Sequence, residues 1–251
     1  MKVAISQPTY LPWIGYFDLI DQVDTFVFLD DVQFEKQSWQ QRNRIKTPTG
    51  LQWLTVPVIF RGRFGQLINE VEIRDREFWR HHLRAIELNY RRAPFFDQYF
   101  DDLCLRLNCT EGTRLVDLNI RLIEWLLDTL GIRTRRLTSS HLKQAGKRVE
   151  LLGNLCAALD ATQYVSPLGA TAYLLEGTDA PLGTAVELLF QHYEHPHYRQ
   201  LFPPFRPQAC ILDLLFNEGD RSLEILRSGR RPPLLPAQAS GAVSAQAGGN
   251  A

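Results

Sequence analysis

The sequence predicts an α/β fold, with a parallel sheet begun in the N-terminal half and a largely helical second half. Three observations predict it. The apolar runs KVAIS (2–6) and TFVFLD (25–30) are short and bounded by turn residues, so they read as buried strands. Between them, IGYFDLIDQV places Ile14, Phe17 and Ile20 on one helical stripe. Strand, turn, helix and strand within about 30 residues is the size of a βαβ unit, which requires a right-handed crossover and a parallel pair. The architecture expected is therefore Rossmann-like.

The remaining elements follow in order. LQWLTVPV (51–58) predicts a third strand, RGRFGQ a turn, and the alternation in LINEVEI (67–73) a fourth strand. DREFWRHHLRAIELNY (75–90) predicts a helix opened by an aspartate cap, and Pro94 opens another that runs to about Leu107. GTRLVDLNIRLIEWLLDTLG (112–131) has helical spacing and stops at Gly131. IRTRRLTSS (132–140) predicts a strand ending in a Ser139–Ser140 cap. KRVELLGNLCAALDA (147–161) predicts a helix, QYVSP (163–167) and TAVELLF (184–190) two strands, and ILDLLFNEG (211–219) a last helix that continues into DRSLEILRSG. From Gly229 the chain is rich in Pro, Ala, Gly and Ser, which predicts a disordered tail. The expectation is one α/β domain over 1–228 and a tail over 229–251.

At 251 residues and 45% hydrophobic content the chain can bury a sizeable core. Its 28 basic and 28 acidic side chains cancel, which argues against a nucleic-acid binder. No apolar run approaches the roughly 20 residues of a spanning helix, so a soluble, cytoplasmic protein without a membrane partner is expected. Cys104, Cys109, Cys156 and Cys210 lack metal-ligand spacing and read as free thiols. No tightly bound metal is expected; a transient Mg²⁺ bridging Asp30 or Asp31 to a phosphate fits the residues.

Ligands of open parallel sheets gather beyond the carboxyl ends of the strands. QPTYLPW leaves the first strand and DDVQFEKQSWQQRNRIK leaves the second. There Gln7, Gln33, Gln41 and Asn43 supply amides. Asp30 and Asp31 supply acceptors or a base, and Arg42, Arg44 and Lys46 are cations suited to phosphate or carboxylate. Tyr10, Trp13 and Trp39 offer flat faces for a base or sugar ring. Any one of these residues reads as an ordinary cap or solvated charge; the cluster reads as a site for a polar, anionic small molecule or a carrier-bound substrate.

A second cluster, FQHYEHPHYRQLFPPFRP (190–207), holds His192, His195 and His197. His192 and His197 read as surface residues. Pro196 holds His195 extended and gives it a defined direction, which makes it the candidate general base, with Tyr198 beside it. The Ser139–Ser140 step is either a helix cap or an anion site. No G-x-S-x-G, P-loop or G-x-G-x-x-G pattern is present.

The strand–turn–helix–strand opening resembles, at the level of fold, the nucleotidyltransferase and pantothenate-synthetase class. There, paired histidines grip a triphosphate, whereas no histidine precedes His81 here. More specifically, VAISQPTYLPWIGYFDLIDQVDTFVFLDDVQFEKQSWQQRNRIK resembles the opening of the WbqC-like protein family. YVSPLGATAYL, HPHYRQLFPPFRP and ILDLLFNEG resemble its later blocks in the same order, over about residues 1–220. The resemblance carries over Gln7, Pro8, Tyr10, Pro12, Gly15 and Tyr16, and then Asp30, Asp31, Gln33, Arg42, Asn43 and Lys46. It also carries over His195, Pro196, Tyr198 and Gln200, and finally Asp213 and Asn217. Family members often carry histidine or an aromatic residue where this chain has Thr9. The resemblance implies a setting in bacterial biosynthesis of surface glycans or secondary metabolites.

The function expected is a transferase that moves an acyl or aminoacyl group from an activated donor to an amine or hydroxyl of a sugar or metabolite. In it His195 is the base, Asp30 or Asp31 the orienting carboxylate, Arg42 and Lys46 the donor clamp, and Tyr10 and Trp13 a wall. The alternatives are a non-catalytic binding or scaffold protein and a nucleotidyltransferase-like enzyme.

Overall fold

The computed structural model describes residues 1–108, 114–176, 182 and 185–248. Its elements are β1 (Lys2–Ser6), α1 (Ile14–Asp21), β2 (Thr25–Phe28), β3 (Arg42–Thr47), β4 (Gly50–Thr55), α2 (Phe78–Tyr90), α3 (Phe96–Leu107), α4 (Leu115–Leu130) and β5 (Arg135–Thr138). They continue as α5 (Ser139–Leu142), α6 (Val149–Ala158), β6 (Gln163–Ser166), α7 (Thr171–Leu174), β7 (Glu187–Tyr193), α8 (Ile211–Glu218), α9 (Ser222–Ser228), β8 (Arg230–Leu234) and α10 (Pro236–Gly248).

The predicted βαβ unit is present: β1 and β2 pair in parallel, Val3 opposite Thr25 and Ser6 opposite Phe28. The fold is α/β, with a six-stranded sheet in the order β5-β2-β1-β6-β7-β8. Every pairing is parallel except that of β7 with β8. Side-chain alternation gives the sheet two apolar faces. Ala4, Phe26 and Phe28 face a large core shared with α1, α4 and α8, while Val3, Ile5 and Val27 face Leu151, Leu155 and Cys156 of α6.

The sheet order locates the site. From β1 the chain builds outward to β2 and β5, then returns to place β6 on the other side of β1. The crevice beyond the carboxyl ends of β1 and β6 is therefore the topological switch point, where flanking connections diverge.

Three expectations are corrected. Residues 42–47 are a strand, not open loop: β3 pairs antiparallel with β4 in a separate two-stranded hairpin. Residues 67–73 form a single 3-10 turn at Ile68–Glu70 with isolated bridges, not a strand. Ile68, Val71 and Ile73 are buried, but not in a period of two, and the backbone bonds to Val32 and Asp30 rather than to a sheet. The third concerns the expected tail. Arg230–Leu234 adds β8 to the sheet edge, where Pro232 and Pro233 are tolerated. α10 then buries Ala239. Composition missed this strand because it is held by ion pairs at its start and by its ladder with β7, with Leu234 its one apolar side chain packed on the core. Residues 249–251 lie outside the described residues.

Cys104, Cys156 and Cys210 are free, and burial pushes the thiols of Cys156 and Cys210 up to about 12; Cys109 lies outside the described residues. Among the described residues no helix is long and apolar enough to cross a membrane.

Candidate ligand-binding site

α1 begins at Ile14, with Trp13 in extended conformation at its N-cap and no side-chain cap. The Trp13 indole lies across Gly15, so closely that a Cβ there would collide with two ring carbons, Cζ2 and Cη2. Glycine at 15 is what lets the indole lie there. The indole walls a cavity of about 400 Å³ at the switch point, floored by Ser6 and Pro167 from the strand ends and bounded by Thr9, Tyr16, Trp39, Asn43, Gln191 and Gln208.

Gln191 is the best-defined polar group in that wall. Its Nε2 donates to the Gly15 carbonyl and to Asp18 Oδ2, both at 2.8 Å, and two acceptors settle which end of the amide faces them. Oε1 is left without a partner among the described residues, as an acceptor for a ligand N–H or O–H. Asp18 is fully buried, and burial raises its pKa against the opposing pull of Gln191 and Arg230. Arg230 Nε reaches Asp18 Oδ1 at 2.7 Å and its NH2 also binds Asp21, which Arg227 grips with two bonds of 2.8 Å. The C-terminal strand thus props the helix and the amide that shape the cavity.

The first loop is stitched in place by amides. Asn43 Nδ2 donates to the carbonyls of Tyr10 (3.2 Å) and Leu11 (2.8 Å), and its Oδ1 accepts from the Arg44 N–H. Leu11 sits at φ 42°, a left-handed conformation costly for a branched side chain, so these bonds hold a strained turn. Asn119 binds the carbonyls of Pro8 and Gln40, while Gln40 Nε2 donates to Gln7 Oε1 at 2.8 Å.

Of the sequence-predicted residues, Trp13 and Asn43 line the cavity, and Gln7 braces its loop. Tyr10 does not form a wall: it is fully buried, its hydroxyl 2.8 Å from His82 Nδ1. Tyr16 is buried but lines the cavity, its hydroxyl donating to the Gln7 carbonyl. Gln33 is exposed beside Leu67 and Gln41 binds the Val56 carbonyl, so neither reaches the cavity. Lys46 is buried, its ammonium donating to the carbonyls of Phe202 and Thr47. Burial lowers its pKa, opposed by the charge of Asp213.

Asp30 is buried and bound from within. Its carboxylate accepts from the Ser140 N–H (3.0 Å), Ser140 Oγ (2.8 Å) and Ser139 Oγ (3.0 Å), and Ser139 Oγ also lies against Asp31. The Ser139–Ser140 step therefore receives an anion of the chain itself. That is a cap in which the carboxylate comes from the loop after β2.

His195 stacks on Trp13 (centroids 6.1 Å, planes 18° apart) and on Tyr198 (6.0 Å), with Phe205 edge-on. Its Nδ1 lies 3.0 Å from the Pro196 carbonyl, which makes it the protonated nitrogen and leaves Nε2 with a lone pair. Nε2 is shut from solvent without a partner among the described residues, and burial lowers the pKa, so the ring is neutral near pH 7. His192 pairs with Glu194, and His197 packs on Phe205. Among the described residues no group of three or more His, Cys, Asp or Glu is placed to hold a metal.

Tyr198, carried over as a binding residue, donates to Asp213 Oδ2 at 2.8 Å. Gln200 Nε2 reaches the same oxygen at 2.7 Å and Tyr90 reaches Oδ1 at 2.9 Å. Asp213 has no exposed surface, and burial raises its pKa. This network pins the 195–200 segment to α8. Sequence reasoning missed Gln191, Gln208, Ser6 and Asp18 as parts of the site. Only Gln191 left a signal, a glutamine inside the apolar run ELLFQHY.

The family model of the WbqC-like protein family matches residues 7–225. An uncharacterized protein of Mycobacterium tuberculosis is 43% identical over 230 residues, which covers 92% of this chain and 99% of that protein. No solved structure matches the chain.

Proposed function

This chain belongs to the WbqC-like protein family, and from that premise we propose that it is a biosynthetic transferase that seats a small polar substrate in the switch-point cavity. The group moved is acyl or aminoacyl, from an activated donor to an amine or hydroxyl. The observation that supports this reading is the cavity itself: an indole wall, a fixed acceptor at Gln191, and a neutral His195 stacked on that same indole. In the reaction, a shift of the Trp13 indole opens His195 Nε2, which is shut from solvent and outside the cavity wall without ligand. Nε2 then takes the proton of the acceptor's N–H or O–H as that atom attacks the donor's acyl carbon. The bond from that carbon to the donor's leaving group breaks, and the leaving group departs with its electron pair. Gln191 Oε1 orients the acceptor by receiving a second hydrogen bond. A positioned base of this kind contributes about 10²–10⁴-fold. Asp30, Lys46 and Tyr10 serve in this reading as supports, since their polar atoms are occupied within the protein.

One observation favours a second reading, binding without turnover: among the described lining residues there is no Asp, Glu, His, Lys or Arg. Incubation with acyl thioesters, nucleotide sugars and nucleoside triphosphates, followed by mass spectrometry, separates the two. The transferase reading expects an acylated product that disappears in His195→Ala. Binding without product, unchanged by that substitution, supports the second reading, and pyrophosphate release supports nucleotidyl transfer instead.

A further inference from the structure

β3 directs the side chains of residues 42 and 44 to one side of the hairpin, about 7 Å apart along the strand. The Arg42 guanidinium lies 4.2 Å from the Trp53 ring, and that of Arg44 lies 5.3 Å from both Trp53 and Trp39. The two indoles are 5.3 Å apart and remain 42% and 47% exposed, for Trp53 and Trp39 respectively. This cluster touches the cavity directly. Trp39 lines it, and Arg44 reaches Gln208, another lining residue, at 3.4 Å.

The two arginines differ from Arg227 and Arg230, which face α1. Arg227 is ion-paired with Asp21, and Arg230 with Asp18 and Asp21, each through Nε and one Nη. Arg42 and Arg44 have no carboxylate within ion-pair distance among the described residues, and the Nε of each is shut from solvent with no acceptor. A guanidinium laid on an indole has little rotational freedom left to lose and presents its two terminal Nη groups as a fork for the oxygens of a phosphate, the long Arg44–Gln208 bond giving way to the ligand. Two such forks call for two negative charges. The exposed indoles offer the flat face on which a base stacks.

We propose that Arg42 and Arg44, laid on Trp53 and Trp39 at the mouth of the cavity, form the diphosphate subsite for a nucleoside diphosphate conjugate whose uncharged end enters the cavity. The proposal rests on the reading of the cavity as the substrate site and names the class of the activated donor. Coenzyme A thioesters and nucleotide sugars share this diphosphate. The conjugate that binds better identifies the source.

The test is titration of the full chain, followed by tryptophan fluorescence and calorimetry, with ADP, AMP, adenosine, inorganic diphosphate, coenzyme A and UDP-glucose. The expected result is that ADP binds at least about tenfold more tightly than AMP or adenosine and that this advantage shrinks at high salt. Arg42→Gln with Arg44→Gln lowers ADP affinity about 30-fold and leaves adenosine unchanged. Arg42→Lys with Arg44→Lys, which keeps the charge and loses the fork, falls between and guards against a folding artefact, checked by thermal melts. Equal binding of ADP and adenosine, wild-type ADP affinity in the double glutamine variant, or no binding by any probe overturns the subsite. Trp13→Ala tests the cavity separately. It is expected to weaken the better-binding conjugate and to spare inorganic diphosphate. If it changes nothing while the arginine variants lose binding, the cavity reading fails and the diphosphate subsite stands.

Discussion

Two places on the carboxyl edge of one sheet meet the same demand in opposite ways. Beyond β2 and β5, the Asp30 carboxylate meets Ser139 and Ser140 and the corner closes on itself. Beyond β1 and β6, the comparable position is a cavity whose wall leaves Gln191 Oε1 unpartnered among the described residues. The difference teaches that a polar strand end marks a site only when its groups are not already satisfied by the chain. A buried carboxylate with three donors has little capacity left for a ligand.

The comparison can be broken most sharply at the most enclosed of the closed positions. Asp213→Ala removes the acceptor of Tyr90, Tyr198 and Gln200 and leaves the Lys46 ammonium uncompensated, so a loss of about 3–5 kcal/mol is expected in urea denaturation. A loss under about 1 kcal/mol would mean that the network is not holding the 195–200 segment.

His82, beneath the first loop, makes stability depend on pH. Burial lowers its pKa to about 4. Between that value and the unfolded value of about 6.5 the unfolded chain binds more protons than the folded one. Its contribution is therefore full above about 6.5 and falls away as the pH drops toward about 4, by about 3 kcal/mol in total. Urea midpoints across this window should slope downward into acid, and His82→Gln should flatten the slope.

Asp30→Ala tests the closed corner itself. Stranding the Ser139 and Ser140 donors should cost about 2–3 kcal/mol and leave ligand affinity within about twofold. Unchanged stability with abolished binding would move the site to this corner.

Gly15→Ala tests the open crevice. The added methyl displaces the Trp13 indole. Ligand affinity should drop about tenfold while stability changes by less than about 1 kcal/mol, since alanine favours the helix.

Much of the frame was legible because it is written in local periods. The strands at 2–6 and 25–30, the stripe of Ile14, Phe17 and Ile20, and the stop at Gly131 each follow from spacing within a few residues. The hairpin strand β3 was hidden because its inward-facing residues include Asn43 and Thr47, so no apolar alternation shows. β8 was hidden by composition, because its two prolines and two arginines look like tail. Within the candidate site, Trp13 and Asn43 were legible as residue types at a strand end. Tyr10 looked equally suitable and is buried, because its hydroxyl finds His82 from a helix 72 positions away.

Element type, strand sequence and the parallel opening were thus properties of the chain read locally, where a period of two or 3.6 is enough to say which side is apolar. Partnership was not. Asp18 looks like a solvated helix aspartate until Gln191 and Arg230, 173 and 212 positions away, fold onto it. A polar group's role depends on which donors reach it and whether water remains. Both are settled only when distant segments pack together, which is why the cavity, its amide acceptor and the two arginines that meet no carboxylate among the described residues emerged from the folded chain.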